Sequence, residues 1–341
     1  MNSNFEKINI SPAVPGDAFV EPEGVSVILP VLNEERYLEN TVEAILSQDY
    51  LGLLEIVLAI GPSRDRTAEI AKLLRSKDSR VVLIDNPSGR TAAGLNLAIR
   101  TSKYPIIVRV DGHAEISHNY ISYAVELLHR TGAVNVGGTM AAVGVTIFEK
   151  AVARAMRSAL GVGASRFHTG GQAGPSDTVY LGVFKREALI NAGGFDERFT
   201  RAQDWELNYR LRGQGGIVYF DPQLEVTYRP RPTLRALGKQ YFEYGRWRRV
   251  VSRRHRGTVN IRYLAPPFAL IGTSASIVMA ATFSYFWLIP AVVYFSFLIL
   301  ASLTIGKGVG EKVRLPLILF TMHMFWGAGF ITSPKKIAPR E

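Results

Sequence analysis

Across the first two-thirds of the chain, short apolar runs alternate with stretches in which apolar side chains recur every three or four positions. Val25-Ser26-Val27-Ile28-Leu29-Pro30 has the continuous apolar character of a buried strand. Leu38, Val42, Ile45 and Leu46 then mark the inner face of a helix expected to open at Asn33-Glu34-Glu35. Runs at 54–59, 81–84 and 106–110 read as three more strands, with helices predicted over 67–74 and 92–100 between them. Strands alternating with helices at this spacing imply βαβ crossovers and a mainly parallel sheet. In such a sheet, ligand contacts gather at the strand C-termini.

From Tyr120 onward the pattern loosens. It predicts a helix over 120–130, a strand over 133–140 with a bulge at Gly137-Gly138, and a helix over 148–160. The Gly-rich stretch 161–175 has the length of a binding loop rather than of a connector. A helix over 185–192, a helix that Asp204 caps with its own side chain, and a strand over 217–220 complete this half.

Beyond it lies an uncharged segment, 263–306, which is 44 residues long. As one helix it would reach roughly 66 Å, twice a bilayer core, so two spans are expected, over 264–283 and 285–303, with a tight turn at Ser284. The run 315–331 is just long enough to be a third span or a re-entrant segment. Three full spans would put Lys335, Lys336 and Arg340 on the far side, against the positive-inside trend.

Charge sharpens that picture. The net charge of +11 is local: 246–262 holds seven arginines and no acid, whereas 1–245 balances. Arginines beside the first span predict a cytoplasmic face and argue against nucleic acid as the partner. Residues 1–23 are polar, with three prolines and no apolar core of a signal sequence, and read as a flexible arm. No cysteine is present, which excludes disulfides, thiolate metal ligands and a thiol nucleophile. The expected organisation is an arm (1–23), a catalytic domain (24–245), a basic juxtamembrane segment (246–262), a membrane region (263–332) and a tail (333–341).

Each of the first four strands ends in polar residues that could read a nucleotide: Pro30, Asn33 and Glu34; Ser63, Asp65 and Thr67; Gly89, Arg90 and Asn96; Asp111 and His113. Singly, each has an ordinary role as a helix cap, a first-turn carboxylate or a turn residue. Four such clusters at four consecutive strand ends point instead to one ligand site. Asp111-Gly112-His113 places a carboxylate and an imidazole where they could hold a divalent cation against a diphosphate.

This arrangement resembles the inverting family 2 glycosyltransferases from about Val25 to Tyr244. The resemblance rests on Pro30-Val31-Leu32-Asn33-Glu34-Glu35, Gly61-Pro62-Ser63-Arg64-Asp65-Arg66-Thr67, Gly89-Arg90 with Leu95-Asn96, Gly193-Gly194-Phe195-Asp196-Glu197 and Arg201-Ala202-Gln203-Asp204-Trp205-Glu206. It implies an α/β GT-A fold, a Rossmann-like, mainly parallel mixed sheet flanked by helices, followed by a C-terminal transmembrane region. Pro30, Asn33, Glu34, Ser63, Asp65, Arg90, Asn96 and Asp111 would bind the nucleotide sugar. The family's Asp-x-Asp falls on Asp111-Gly112-His113, with His113 in place of the last Asp; imidazole tolerates Mn²⁺, so Asp111 and His113 remain the implied ligands of Mg²⁺ or Mn²⁺. Asp204 would be the catalytic base, with Glu206 as the spare carboxylate, and Gln203 replaces the usual Glu. Gln240 with Arg246-Trp247 is similar to a signature of processive synthases but has the wrong spacing. Arg246 and Trp247 would touch the donor diphosphate or a lipid headgroup, or anchor the chain at the membrane interface.

Within the family the chain looks most like the glucosyltransferases of succinoglycan-type exopolysaccharide synthesis. That resemblance implies transfer of a hexose, glucose first, from a UDP-sugar to a polyprenyl-diphosphate-linked saccharide. The setting would be the inner membrane, with the catalytic domain cytoplasmic, the chain multi-pass and other polysaccharide-assembly enzymes as partners. Transfer directly to polyprenyl phosphate is the alternative reaction. The His113 and Gln203 substitutions motivate a second alternative, a silent scaffold that binds a nucleotide sugar.

Overall fold

The computed structural model describes residues 23–337. The expected arm therefore lies outside the described residues except for Glu23, and so do the last four residues of the expected tail. In chain order the first half contains β1 (Val25–Val31), α1 (Leu38–Leu46), β2 (Leu54–Ile60), α2 (Thr67–Lys77), β3 (Val81–Asp85), α3 (Thr91–Thr101), β4 (Ile106–Arg109), β5 (Glu115–Ile116) and α4 (Tyr120–Thr131). There follow β6 (Asn135–Ala142), α5 (Ile147–Met156), α6 (Ala159–Val162), α7 (Arg166–Thr169), β7 (Gly174–Pro175), β8 (Tyr180–Lys185), α8 (Arg186–Asn191), α9 (Gln203–Gly213) and β9 (Val218–Tyr228). The C-terminal region is helical: α10 (Leu234–Arg254), α11 (Ala265–Thr282), α12 (Ile289–Ile305) and α13 (Val309–Thr332).

One nine-stranded sheet organises the catalytic domain, in the order β3, β2, β1, β4, β8, β6, β9, β5, with β7 on β9. The four strands foreseen from the sequence are parallel, Val27 facing Ile56 on one side and Val108 on the other. Successive residues of β1 go to opposite cores. Val27 and Leu29 pack with Leu38, Val42 and Ile45 of α1, whereas Ile28 packs with Leu95 of α3 and Leu207 of α9. The sheet is thus buried on both faces, which is why its strands read as unbroken apolar runs.

Several expectations need correction. The first helix starts at Leu38 rather than at Asn33: Asn33 takes a left-handed backbone (φ 59°), and residues 35–37 form a turn ahead of the helix. Strand β8 was not foreseen; it runs antiparallel between β4 and β6. Leu181 (φ 58°) and Gly182 (φ 96°) break its two-residue period, so it carries no strand signature. The helix expected over 148–160 ends at Met156, and Ser158 caps the separate turn α6. The stretch 161–175 holds the short elements α7 and β7. Ala202 rather than Asp204 occupies the cap position of α9, so Asp204 lies inside the helix. The expected bulge is present: the register of β6 shifts at Gly137-Gly138, where a Cβ on Gly138 would overlap the Leu224 carbonyl.

Three helical segments are long and apolar enough to cross a membrane, Ile261–Thr282, Tyr285–Ile305 and Val309–Thr332. The first two expose rows of large apolar side chains, among them Phe268, Ile271, Val278, Val292, Ile299 and Leu303. The third differs. Both ends of α13 touch the catalytic domain: Glu311 pairs with Arg154 of α5 at 3.7 Å, and Arg253 of α10 donates to the carbonyls of Ser333 and Pro334 at 2.7 and 3.0 Å. Along its length α13 lies against α10 so closely that a Cβ on Gly245 would overlap the Trp326 carbonyl, and one on Gly329 the Phe242 carbonyl. Helix α10 itself runs unbroken through 245–246, so the expected end of the catalytic domain falls in the middle of a helix.

Candidate active site

At the C-terminal edge of the parallel strands, the loops after β1 and β2 are stitched to each other. The Asn33 N–H donates to Ser63 Oγ at 3.0 Å, and Asn33 Oδ1 accepts from the Arg64 N–H at 2.8 Å. The Glu34 N–H donates to Thr67 Oγ1 at 2.7 Å, and the Glu35 N–H to Asp65 Oδ2 at 3.2 Å. Asp65 Oδ1 in turn accepts from the Thr67 hydroxyl at 2.6 Å, and that bond holds the carboxyl below its ordinary pKa. Asn33, Glu34, Ser63 and Asp65 therefore come together as foreseen, as one preformed rim. Pro30 is the penultimate residue of β1. Arg90 is exposed at the residue before α3.

Glu34 has a second partner. Its Oε1 lies 2.8 Å from His113 Nδ1, an approach that Gly112 permits because a Cβ there would sit 3.0 Å from Glu34 Cγ. That hydrogen bond, working against burial, raises the pKa of the imidazole. In the neutral ring, an Nδ1 proton donated to this carboxylate would leave Nε2 to face a ligand. Among the described residues no three His, Cys, Asp or Glu side chains cluster as a metal cage. Asp111 and His113 would be the protein's donors to a Mg²⁺ or Mn²⁺ ion, which would supply charge neutralisation at a diphosphate.

The residue that joins the two halves of the site is Arg109, at the end of β4. Its side chain is 4 % exposed; Nη2 donates to Asp111 Oδ1 at 3.0 Å and Nη1 to Asp204 Oδ1. Burial alone would ease the proton off this guanidinium, but Asp204 and Asp111 more than offset that and hold it charged. Asp204, on the first turn of α9, is 29 % exposed, yet its carboxyl is pushed above the ordinary range. Desolvation raises it, Asp111 adds to that, and Arg109 only partly opposes them. Arg109 was not among the expected site residues; the signal that could have found it is a charge within the apolar run 106–110, since a charge in a strand buried on both faces requires a partner.

Other expected residues lie in different surroundings. The Asn96 amide is buried and taken up by the Phe195 N–H and carbonyl and by Glu197 Oε1, so it holds the Gly193-Gly194-Phe195 turn rather than offering itself to a nucleotide. Glu206 is no spare base, because it is 1 % exposed and bound by Arg210 at 2.7 Å and by His255 at 3.1 Å. Arg246 pairs with Glu243 at 2.7 Å. Trp247 is buried against Phe199, ring centroids 5.6 Å apart, which removes it from both the diphosphate and the membrane interface. Gln203 is buried beside Asp204, and its amide oxygen has no partner among the described residues.

A model of the family described as Glycosyl transferase family 2 matches residues 26–193. The chain is 31% identical over 316 residues to the succinoglycan biosynthesis protein ExoA of Rhizobium meliloti, covering 89% of this chain and 93% of that protein. It is 24% identical over 315 residues to the dolichyl N-acetyl-alpha-D-glucosaminyl phosphate 3-beta-D-2,3-diacetamido-2,3-dideoxy-beta-D-glucuronosyltransferase of Methanococcus voltae, covering 90% of this chain and 95% of that protein. Among solved structures, the mannosyltransferase PcManGT from Pyrobaculum calidifontis, in complex with GDP-Man and Mn²⁺, matches with a TM-score of 0.63 at 20% identity, over 94% of this chain and 90% of that one. The shared architecture is the GT-A fold.

Proposed function

The chain belongs to glycosyl transferase family 2, and on that premise we propose that it moves a hexose, glucose first, from a UDP-sugar to a polyprenyl-diphosphate-linked saccharide with inversion. The observation that carries this reading is the bridge from Asp111 through Arg109 to Asp204, which fixes a donor-side and an acceptor-side carboxylate to one buried cation. Asp204 takes the proton of the acceptor hydroxyl as that oxygen attacks the anomeric carbon from the face opposite the nucleotide. The new C–O bond forms as the bond to the nucleoside diphosphate breaks, and the configuration inverts. Its raised pKa makes Asp204 a stronger base than an ordinary carboxylate.

On the donor side, Asn33, Glu34, Ser63 and Asp65 bind base and ribose from their preformed rim, and Arg90 reaches the base or diphosphate. A divalent cation at Asp111 and His113 would neutralise charge on the departing diphosphate. Glu34 orients His113 for that task. The arginines of 246–262 support a cytoplasmic position for the domain at the inner membrane, in a multi-pass chain. The contacts at both ends of α13 favour keeping Lys335 and Lys336 on that same side. The Methanococcus voltae relative, whose name gives a dolichyl-linked sugar phosphate as acceptor, supports a lipid-linked acceptor.

The test is nucleotide release by the full chain from a panel of UDP- and GDP-sugars, with Mg²⁺ or Mn²⁺, using polyprenyl-diphosphate-linked saccharides or polyprenyl phosphate as acceptor. Release from a UDP-hexose only with the diphosphate-linked acceptors is the expected result. Release with polyprenyl phosphate alone would transfer the assignment to the simpler lipid. No release from any donor in the wild type, with nucleotide still bound, would favour the silent scaffold.

A further inference from the structure

Where the N-terminal sheet domain meets the apolar helices, a partly buried arginine has no ion-pair partner among the described residues. The Arg248 guanidinium carbon lies 4.8 Å from the ring centre of Trp205 and 4.4 Å from that of Tyr263. Its Nη1 is buried without a hydrogen-bond partner, and among the described residues no carboxylate lies within ion-pair distance. Arg262 stands against the same Tyr263 ring at 4.9 Å. It donates to the Ala164 carbonyl at 2.9 Å and to the Tyr263 hydroxyl at 2.8 Å, while its own Nε is buried and unpartnered. The nearby acid, Asp177, is about half exposed and 3.4 Å from Arg262.

Two guanidinium groups thus share one aromatic ring and one half-exposed carboxylate. A desolvated cation without a matching anion is unfavourable, and ring faces compensate only in part. Burial lowers the Arg248 pKa; Tyr263 and Asp177 oppose that and Arg262 adds to it. Such a cluster is completed by an anion with several oxygens, for which the planar guanidinium fork suits phosphate best. The setting narrows which phosphate. Trp205 follows Asp204 directly in α9, and Arg262 and Tyr263 form the turn that leads into α11. The cluster therefore lies one residue along α9 from the proposed base, at the entrance to the first apolar helix.

We propose that Arg248 and Arg262, against Trp205 and Tyr263, form the subsite that takes the diphosphate of the polyprenyl-linked acceptor. This rests on the lipid-linked acceptor proposed above. With the phosphates held there, the isoprenoid chain runs along the apolar surface of α11 and the sugar extends toward Asp204. Arg248 does for the incoming lipid what Arg246 and Trp247, paired and buried, do not.

The experiment measures equilibrium binding to the detergent-solubilised full chain, without turnover. The probes are farnesyl diphosphate, farnesol and whichever of UDP and GDP the wild type binds more tightly. Wild-type protein should bind farnesyl diphosphate but not farnesol. Arg248→Gln and, separately, Arg262→Gln should each weaken farnesyl diphosphate binding roughly tenfold or more, as loss of charge-assisted hydrogen bonds predicts, and leave the nucleotide affinity within about twofold. Because the two arginines lie on different elements, one variant remains informative if the other fails to fold. Unchanged farnesyl diphosphate affinity in both overturns the proposal. A parallel loss of nucleotide affinity overturns it in favour of the donor diphosphate. Arginine-dependent binding to phosphatidylglycerol nanodiscs but not to farnesyl diphosphate overturns it in favour of a bulk-lipid anchor. Arginine-dependent binding of farnesyl diphosphate by a wild type that transfers no sugar would sustain the subsite while removing the transferase reading it was built on.

Discussion

Two arginines, one buried and one partly buried, meet α9 at neighbouring residues in surroundings of opposite kinds. Arg109 holds Asp111 and Asp204 at once, so its charge is matched within the resting fold. Arg248 leans on Trp205 and Tyr263 with no carboxylate in reach among the described residues. A matched internal cation fixes the groups that match it, whereas an unmatched one keeps its capacity for an anion that arrives from outside. On this reading Arg109 positions the chemistry and Arg248 receives a substrate.

The largest effect is expected at the carboxylate that Arg109 fixes. Asp204→Asn should lower kcat roughly a hundred- to ten-thousand-fold, the range for losing a general base, with nucleotide affinity retained. Transfer at the wild-type rate would take the base away from Asp204 and leave Arg109 with a structural task alone. The pH profile gives the same assignment a direction. Asp204 must be ionised to act, and a raised pKa means that protonation completes at a higher pH than for an ordinary carboxylate. The acid limb of kcat should therefore lie above the usual carboxylate range, and a limb within that range would count against Asp204.

Next comes stability. Arg109→Met strands two carboxylates and should cost about 3–5 kcal/mol in unfolding of the detergent-solubilised protein. A neutral buried side chain belongs below it: Asn96→Leu leaves the Phe195 backbone groups unpaired and should cost about 1–3 kcal/mol. The smallest effect is expected at Arg248→Met, under about 1 kcal/mol without ligand, since an unpaired, partly buried charge is exchanged for an apolar chain. If the two arginine variants lost equal stability, the distinction between matched and unmatched cations would be wrong.

The sequence by itself determined the parallel half of the sheet and the four polar clusters at its edge. There both sheet faces are buried and the first three strands are each followed directly by a helix, so the pattern is local. It also marked the apolar helices and Asp111, His113 and Asp204 through their motifs. It did not disclose β8, whose Leu181 and Gly182 take left-handed backbones, nor that Asn96 holds a turn 99 residues away. Arg109 could have been found as a charge inside an apolar strand, but its partners could not, since Asp204 is 95 residues distant. Arg248 is the clearest case of what only tertiary structure decides. In a run of seven arginines nothing local separates it from Arg246, and the difference arises because the packing of α10 gives one a glutamate and the other two aromatic rings. Periodicity fixes which way a side chain faces along its own element; what it meets there depends on segments far away in the chain.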